Sequence, residues 1–262
     1  MSFGQQWGPT SSARTRMIGS PATVLVTRPK EDAKLLTVEL EQRGVDVILE
    51  PIFDIVPLDV VALDLRDTAG LLFTSVNGVR AFSHISDIRD FKVFAVGDAT
   101  TTAARVAGFS DVDGASGNVE DLFVLVCEKW PPASGALLHA AGHTISGDLA
   151  VRLRSLGYVV QRIALYDAQA ADALSTRLCD ALRAGRVDYA LFFSPRTADT
   201  FVSLAASACL RDTSKNVEVI CLSDAVADML AGLSWRHVTV AAKPDQKSLL
   251  SALDQRLAHT TP

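Results

Sequence analysis

Residues 70–82, GLLFTSVNGVRAF, return as residues 189–201, YALFFSPRTADTF. Farther along, residues 93–99 (VFAVGDA) return as residues 219–225 (VICLSDA). Residues 24–28 (VLVTR), with Leu40 and Gly44 beyond them, match residues 137–141 (LLHAA) with Leu153 and Gly157. A unit that recurs only after more than 100 residues exceeds the roughly 20–50 residues of a solenoid repeat. It is long enough to be a domain. Two similar domains facing each other make a cleft, and the function is expected to lie in it.

Short apolar runs at residues 23–27, 45–49, 70–74, 92–96, 136–140, 158–165, 187–193, 217–222 and 237–241 read as strands, with amphipathic stretches between most of them. Ile145, Leu149, Leu153 and Leu156 share one helix face, as do Val119, Leu122, Phe123 and Val126, and Leu174, Leu178, Ala181 and Leu182. Strand–helix alternation with near-continuous apolar strands predicts α/β domains whose parallel sheets are covered on both faces. Two segments fit no such unit: residues 51–57, PIFDIVP, bracketed by prolines, and residues 163–168, IALYDA, at the equivalent place in the second repeat. Proline suits edge strands only, so both are expected to be extended connectors paired with each other.

With 262 residues, 48% hydrophobic and 21% charged, the chain can bury two cores. Nothing approaches the ~18 apolar residues of a membrane span, and the first 22 residues lack the apolar stretch of a secretory signal. A cytoplasmic protein is expected, with residues 1–16 an extension before Met17. Cys127, Cys179, Cys209 and Cys221 form no C-x-x-C pair and read as buried reduced thiols. A net charge of −5 with mixed signs and no basic stripe argues against nucleic acid as a partner.

Small polar residues and prolines stand at the carboxyl ends of the strands: Thr27-Arg28-Pro29, Thr74-Ser75-Val76-Asn77-Gly78, Gly97-Asp98-Ala99-Thr100, Ala141-Gly142-His143-Thr144 and Ser194-Pro195-Arg196-Thr197. These residue types start helices. In open parallel sheets ligands bind at that end, where helix N-termini offer unpaired N–H groups to carboxylates or phosphates. No dinucleotide fingerprint, P-loop or nucleophile elbow occurs, and the five histidines show no metal-ligand spacing. His139 reads as a satisfied core imidazole and His143 as a loop residue.

The order and spacing of these motifs resemble the uroporphyrinogen-III synthase family over residues 24–253. The resemblance rests on Thr27-Arg28-Pro29, the 51–57 connector, residues 72–79 (LFTSVNGV) and residues 96–100 (VGDAT). It continues with Gly117-Asn118, Glu120 and Leu122, the Tyr166 connector and residues 192–195 (FFSP). It implies one α/β domain from residues 20–50 and 170–258, connector strands at 51–57 and 161–169, and a second, inserted α/β domain at 58–160, with residues 1–19 a disordered extension. It also implies a monomeric enzyme, free of cofactor and metal. Such an enzyme cyclises the linear tetrapyrrole hydroxymethylbilane, with loss of water and inversion of ring D, to uroporphyrinogen III.

The implied substrate contacts are Arg28, Ser75, Asn77, Gly97, Thr100, Gly142, Ser194, Arg196 and Ser223. Tyr166 is the implied general acid toward the departing hydroxide. Residues 222–226, LSDAV, depart from the family by placing Ser223 at a usual glycine, with Asp224 expected as a helix cap. A rival reading is a two-domain protein that closes on a small anion without chemistry. A two-domain glycosyltransferase would need a nucleotide site that the sequence does not show.

Overall fold

The computed structural model describes residues 21–59, 63–144 and 147–260. The extension expected over residues 1–19 and Ile145 lie outside them. The chain divides into two compact units, one ending at Ile52 and resuming at Asp172, the other spanning Phe53–Ala171.

Elements are numbered along the whole chain. The first unit contains β1 (Thr23–Val26), α1 (Lys30–Glu41), β2 (Asp46–Leu49), α6 (Thr176–Arg183), β9 (Tyr189–Phe192), α7 (Pro195–Ser207), β10 (Glu218–Cys221), α8 (Asp224–Met229), β11 (His237–Val240) and α9 (Gln246–Thr260). Its sheet runs β11-β10-β9-β1-β2, parallel throughout. Along β9 all four residues are buried, as a strand covered on both faces requires. Tyr189 and Leu191 join the core made with Leu36, Leu40, Leu249, Leu250 and Leu253. Phe192 points the other way and stacks edge-on against Phe201 and Trp235.

The second unit holds β3 (Phe53–Pro57), β4 (Thr68–Phe73), α2 (Val76–Ile85), β5 (Lys92–Val96), α3 (Gly97–Val106), β6 (Val112–Ala115), α4 (Val119–Lys129), β7 (Ala136–Gly142), α5 (Leu149–Ser155) and β8 (Val160–Ala170). Its sheet order is β3-β8-β7-β4-β5-β6, parallel except for antiparallel β3 and β8. Successive β4 residues alternate between two cores. Leu71 and Phe73 pack with Phe82, Phe91 and Phe109 on one face, Leu72 with Phe94, Leu122 and Leu153 on the other.

The sequence repeat is a repeat of topology. Matching β4 to β9, β5 to β10, β6 to β11, β7 to β1 and β8 to β2 gives the same neighbour order in both sheets, with β3 as the extra antiparallel edge of the second unit.

Several expectations need correction. The run expected as a strand over 158–165 and a separate connector over 163–168 are one continuous strand, β8. β6 escaped the sequence reading because its VDGA lacks a β-branched run. There a Cβ at Gly114 would lie 2.4 Å from Thr101 Oγ1, so close packing of α3 excludes a larger residue. Leu156 lies beyond the end of α5 and is exposed. Of the four free cysteines only Cys179 and Cys221 are buried; Cys209 is exposed at φ 57° just after α7.

Candidate active site

The serines that open the two copies of the repeat perform the same local task. Ser75 is extended (φ −159°, ψ 156°) and its Oγ accepts the Gly78 N–H that opens α2, at 3.1 Å. Ser194 (φ −144°, ψ 146°) accepts the Thr197 N–H that opens α7, also at 3.1 Å, and donates to Thr197 Oγ1 at 2.8 Å. Both are N-caps at the carboxyl end of an interior strand, where the first-turn amides of a helix face outward with a partial positive charge. Ser223 likewise starts α8, extended (φ −158°, ψ 167°) but without a side-chain cap bond. Asp224, expected as that cap, is instead the first residue of the helix.

Because the serine oxygens already serve their helices, their truncation acts on stability. Ser194→Ala should lower the stability of its unit by about 1 kcal/mol, measured as a shift of its urea midpoint at constant slope. A shift indistinguishable from zero would mean that water replaces the cap bond at no cost.

The other expected contacts fall into two groups. Asn77 is half-buried in the first turn of α2, its Oδ1 accepting from Arg80 at 3.2 Å. Gly97 opens α3 at φ 71°, with nothing within 4 Å of where a Cβ would stand. A larger residue there is penalised by left-handed backbone strain, and no crowding contributes. Arg28 is half-buried, with its guanidinium 4.7 Å from the Phe193 ring centre and Nη1 donating to Gln246 Oε1 at 3.0 Å. Arg196 is exposed in the first turn of α7.

Two placements differ from expectation. Thr100 is buried in α3 and presents no side-chain surface. Gly142 is buried as the last residue of β7, and the next helix, α5, begins only at Leu149, so Gly142 opens no helix.

Gly142 instead faces Tyr166. A register shift between Ala141 and Gly142 sets Gly142 opposite Tyr166 on β8. A Cβ on Gly142 would lie 3.0 Å from the ring. The phenol oxygen reaches Ser75 Oγ at 2.8 Å, so the connector tyrosine and the first repeat's cap meet within one unit. His143 N–H donates to Tyr166 O at 2.7 Å.

His139 and Arg162 lie on this same pair of strands. His139 is 2% exposed, and its Nε2 lies 3.3 Å from Thr74 Oγ1. Its Nδ1 has no partner, which corrects the expectation of a fully satisfied imidazole. Burial, helped by the positive charge of Arg162, pulls its pKa down to about 4. Among the described residues no cluster of His, Cys, Asp and Glu could hold a metal ion, and no helix is long and apolar enough to cross a membrane.

A family model described as "Uroporphyrinogen-III synthase HemD" matches residues 34–251. The uroporphyrinogen-III synthase of Chlorobaculum parvum is 28% identical over 204 residues, covering 73% of this chain and 82% of that one. The porphyrin biosynthesis protein HemD of Ruminiclostridium josui is 25% identical over 88% of this chain, which spans 47% of that longer relative. Two solved structures share the fold. The uroporphyrinogen-III synthetase of Helicobacter pylori (TM-score 0.60, 16% identity) covers 90% of this chain and 99% of its own. A mutant uroporphyrinogen III synthase of Thermus thermophilus (TM-score 0.57, 18% identity) covers 91% and 99%. The match over most of the chain, joined to a fold and motif order of the same kind, makes this chain a member of the uroporphyrinogen-III synthase family.

Proposed function

We propose that this chain is a cofactor-independent, cyclising lyase that converts hydroxymethylbilane to uroporphyrinogen III with loss of water and inversion of ring D. Family membership supports the reaction class. The single structural observation that carries the reading is the pairing of Tyr166 with the Ser75 cap at 2.8 Å. Ser75 Oγ accepts from the α2 amide, which leaves its own O–H free to donate to the phenol oxygen. With the Ser75 hydroxyl as the donor in that contact, the phenol serves as the proton donor of the reaction. In the reaction its proton passes to the hydroxide leaving the hydroxymethyl carbon on ring A, so that the C–O bond breaks and water departs. The electron-rich pyrrole nitrogen stabilises the cation left behind, and the Ser75 hydroxyl stabilises the phenolate.

The chemistry demands little else, since the bilane closes unaided once the hydroxyl has gone. What an enzyme adds is orientation: ring D must attack through its substituted carbon to form the spiro intermediate before direct closure occurs. The substrate is a polycarboxylate. Outward amides at the starts of α2, α3, α7 and α8 suit such groups without demanding a positive net charge, and Arg28 and Arg196 add local cations. Ser75, Asn77, Gly97, Ser194 and Ser223 are the contacts this reading retains. Thr100 and Gly142 act by packing.

Incubation with enzymatically generated hydroxymethylbilane should give mainly the type III isomer, with no added metal or nucleotide and with activity retained in a chelator. Exclusive recovery of the type I isomer from folded protein would overturn the reading.

A further inference from the structure

We propose that His139 and Arg162 are positioning residues that set the phenol of Tyr166, each holding one of the two segments that touch it. This rests on Tyr166 being the proton donor of the reaction above. The two residues are register partners on β7 and β8, so their side chains leave the same face of the sheet side by side.

Each side chain reaches a different contact of the tyrosine. His139 Nε2 meets Thr74 Oγ1 at 3.3 Å, and Thr74 is joined by one peptide bond to Ser75, whose Oγ lies 2.8 Å from the phenol oxygen. Arg162 Nη2 donates to Gly142 O at 2.6 Å and to His143 O at 2.7 Å. Those two carbonyls belong to the turn that presents Gly142 to the ring and whose His143 N–H grips Tyr166 O at 2.7 Å. Arg162 therefore fixes the irregular end of β7, where the register shift stands. Such irregularities re-aim side chains, and this one lies directly beside the tyrosine.

The arrangement costs something that packing alone does not require. His139 Nδ1 and Arg162 Nε are both buried polar atoms without a hydrogen-bond partner. Apolar residues would fill a β7–β8 core without leaving polar groups unmet, and unmet polar groups are unfavourable. His139 is buried, and the half-buried Arg162 spends Nη2 on the Gly142 and His143 carbonyls. Their contacts converge from two directions on one phenol.

The test is a double-mutant cycle in the full chain. His139→Gln should lower single-turnover kcat by about 10-fold with KM changed less than about 2-fold, because a misplaced proton donor slows chemistry and leaves binding intact. In the Tyr166→Phe background the same substitution should change kcat less than about 2-fold, since there is then no phenol to position. Thr74→Val, nearly the same shape, provides the same comparison should His139→Gln fold poorly. In protein labelled at its three tyrosines, the Tyr166 ring resonances should move in Thr74→Val and in Arg162→Gln while those of Tyr189 stay. Equal losses in both backgrounds, or unmoved Tyr166 resonances, overturn the proposal. A parent protein that makes no type III isomer overturns the activity reading instead, and the resonances still decide the positioning.

Discussion

Tyr166→Phe should lower turnover of hydroxymethylbilane by ~10²-fold, the scale of a lost general acid, while leaving the fold intact. The substitution removes one oxygen and keeps the ring, so packing against Gly142 survives. The 2.8 Å contact with Ser75 is lost, about 1 kcal/mol for one hydrogen bond. Ser75 keeps its bond to the Gly78 amide, so α2 stays capped. Kinetics and stability should therefore separate: a large fall in kcat, a small shift in the unfolding midpoint, and residual product still dominated by the type III isomer if orientation is carried by the anion contacts. Turnover within a few-fold of the parent would retire the general-acid role and leave catalysis to substrate orientation and backbone dipoles.

His139 should make the second unit sensitive to mild acid. Its pKa is about 4 in the fold and about 6.5 in an unfolded chain. Above pH ~6.5 the imidazole is neutral in both states and has no effect on the pH dependence. As pH falls from ~6.5 toward ~4 the unfolded state takes up a proton that the native state refuses, and stability drops by on the order of 3 kcal/mol. Below about 4 both states are protonated and this contribution levels off. Urea midpoints of the parent and His139→Gln, compared between pH 7 and pH 4, should diverge with falling pH, the variant losing less. Carboxylates titrate in both proteins and cancel in the difference. Parallel curves would show that burial does not hold the imidazole neutral.

The fold was legible where the physics is local. Apolar runs such as LLF in β4 and YALF in β9 announce strands covered on both faces, and serine before a helical stretch announced the caps at 75 and 194. Features that depend on neighbours in space were not legible. VDGA became a strand because α3 packs over Gly114, which no pattern within four residues reveals. Gly142 read as a helix opener because Gly-His-Thr after a strand is normal helix-start chemistry; the register shift that keeps it in β7 depends on β8. Thr100 read as a donor at a helix start, yet the helical turn carries it inward. The pairing of His139 with Arg162 follows from strand register alone, and a parallel register between segments more than twenty residues apart leaves no trace in either.

The strand order also governs how the protein is made. β1 lies between β2 and β9, and the Thr23 N–H is met by the Asp188 carboxylate at 2.8 Å. Synthesis at about 5–20 residues per second leaves β1 without β9 for on the order of ten seconds. During that interval the nascent chain carries a βαβ fragment with an unpaired apolar strand edge, the kind of surface that recruits other chains. Residues 53–171 wait too, since edge strand β3 meets β8 only when residues 166–170 are made, but their sheet is complete before β9 exists. A nascent chain whose emerged part ends near residue 185 would thus display one complete sheet and one waiting strand pair. Chaperone demand should peak just before β9 emerges.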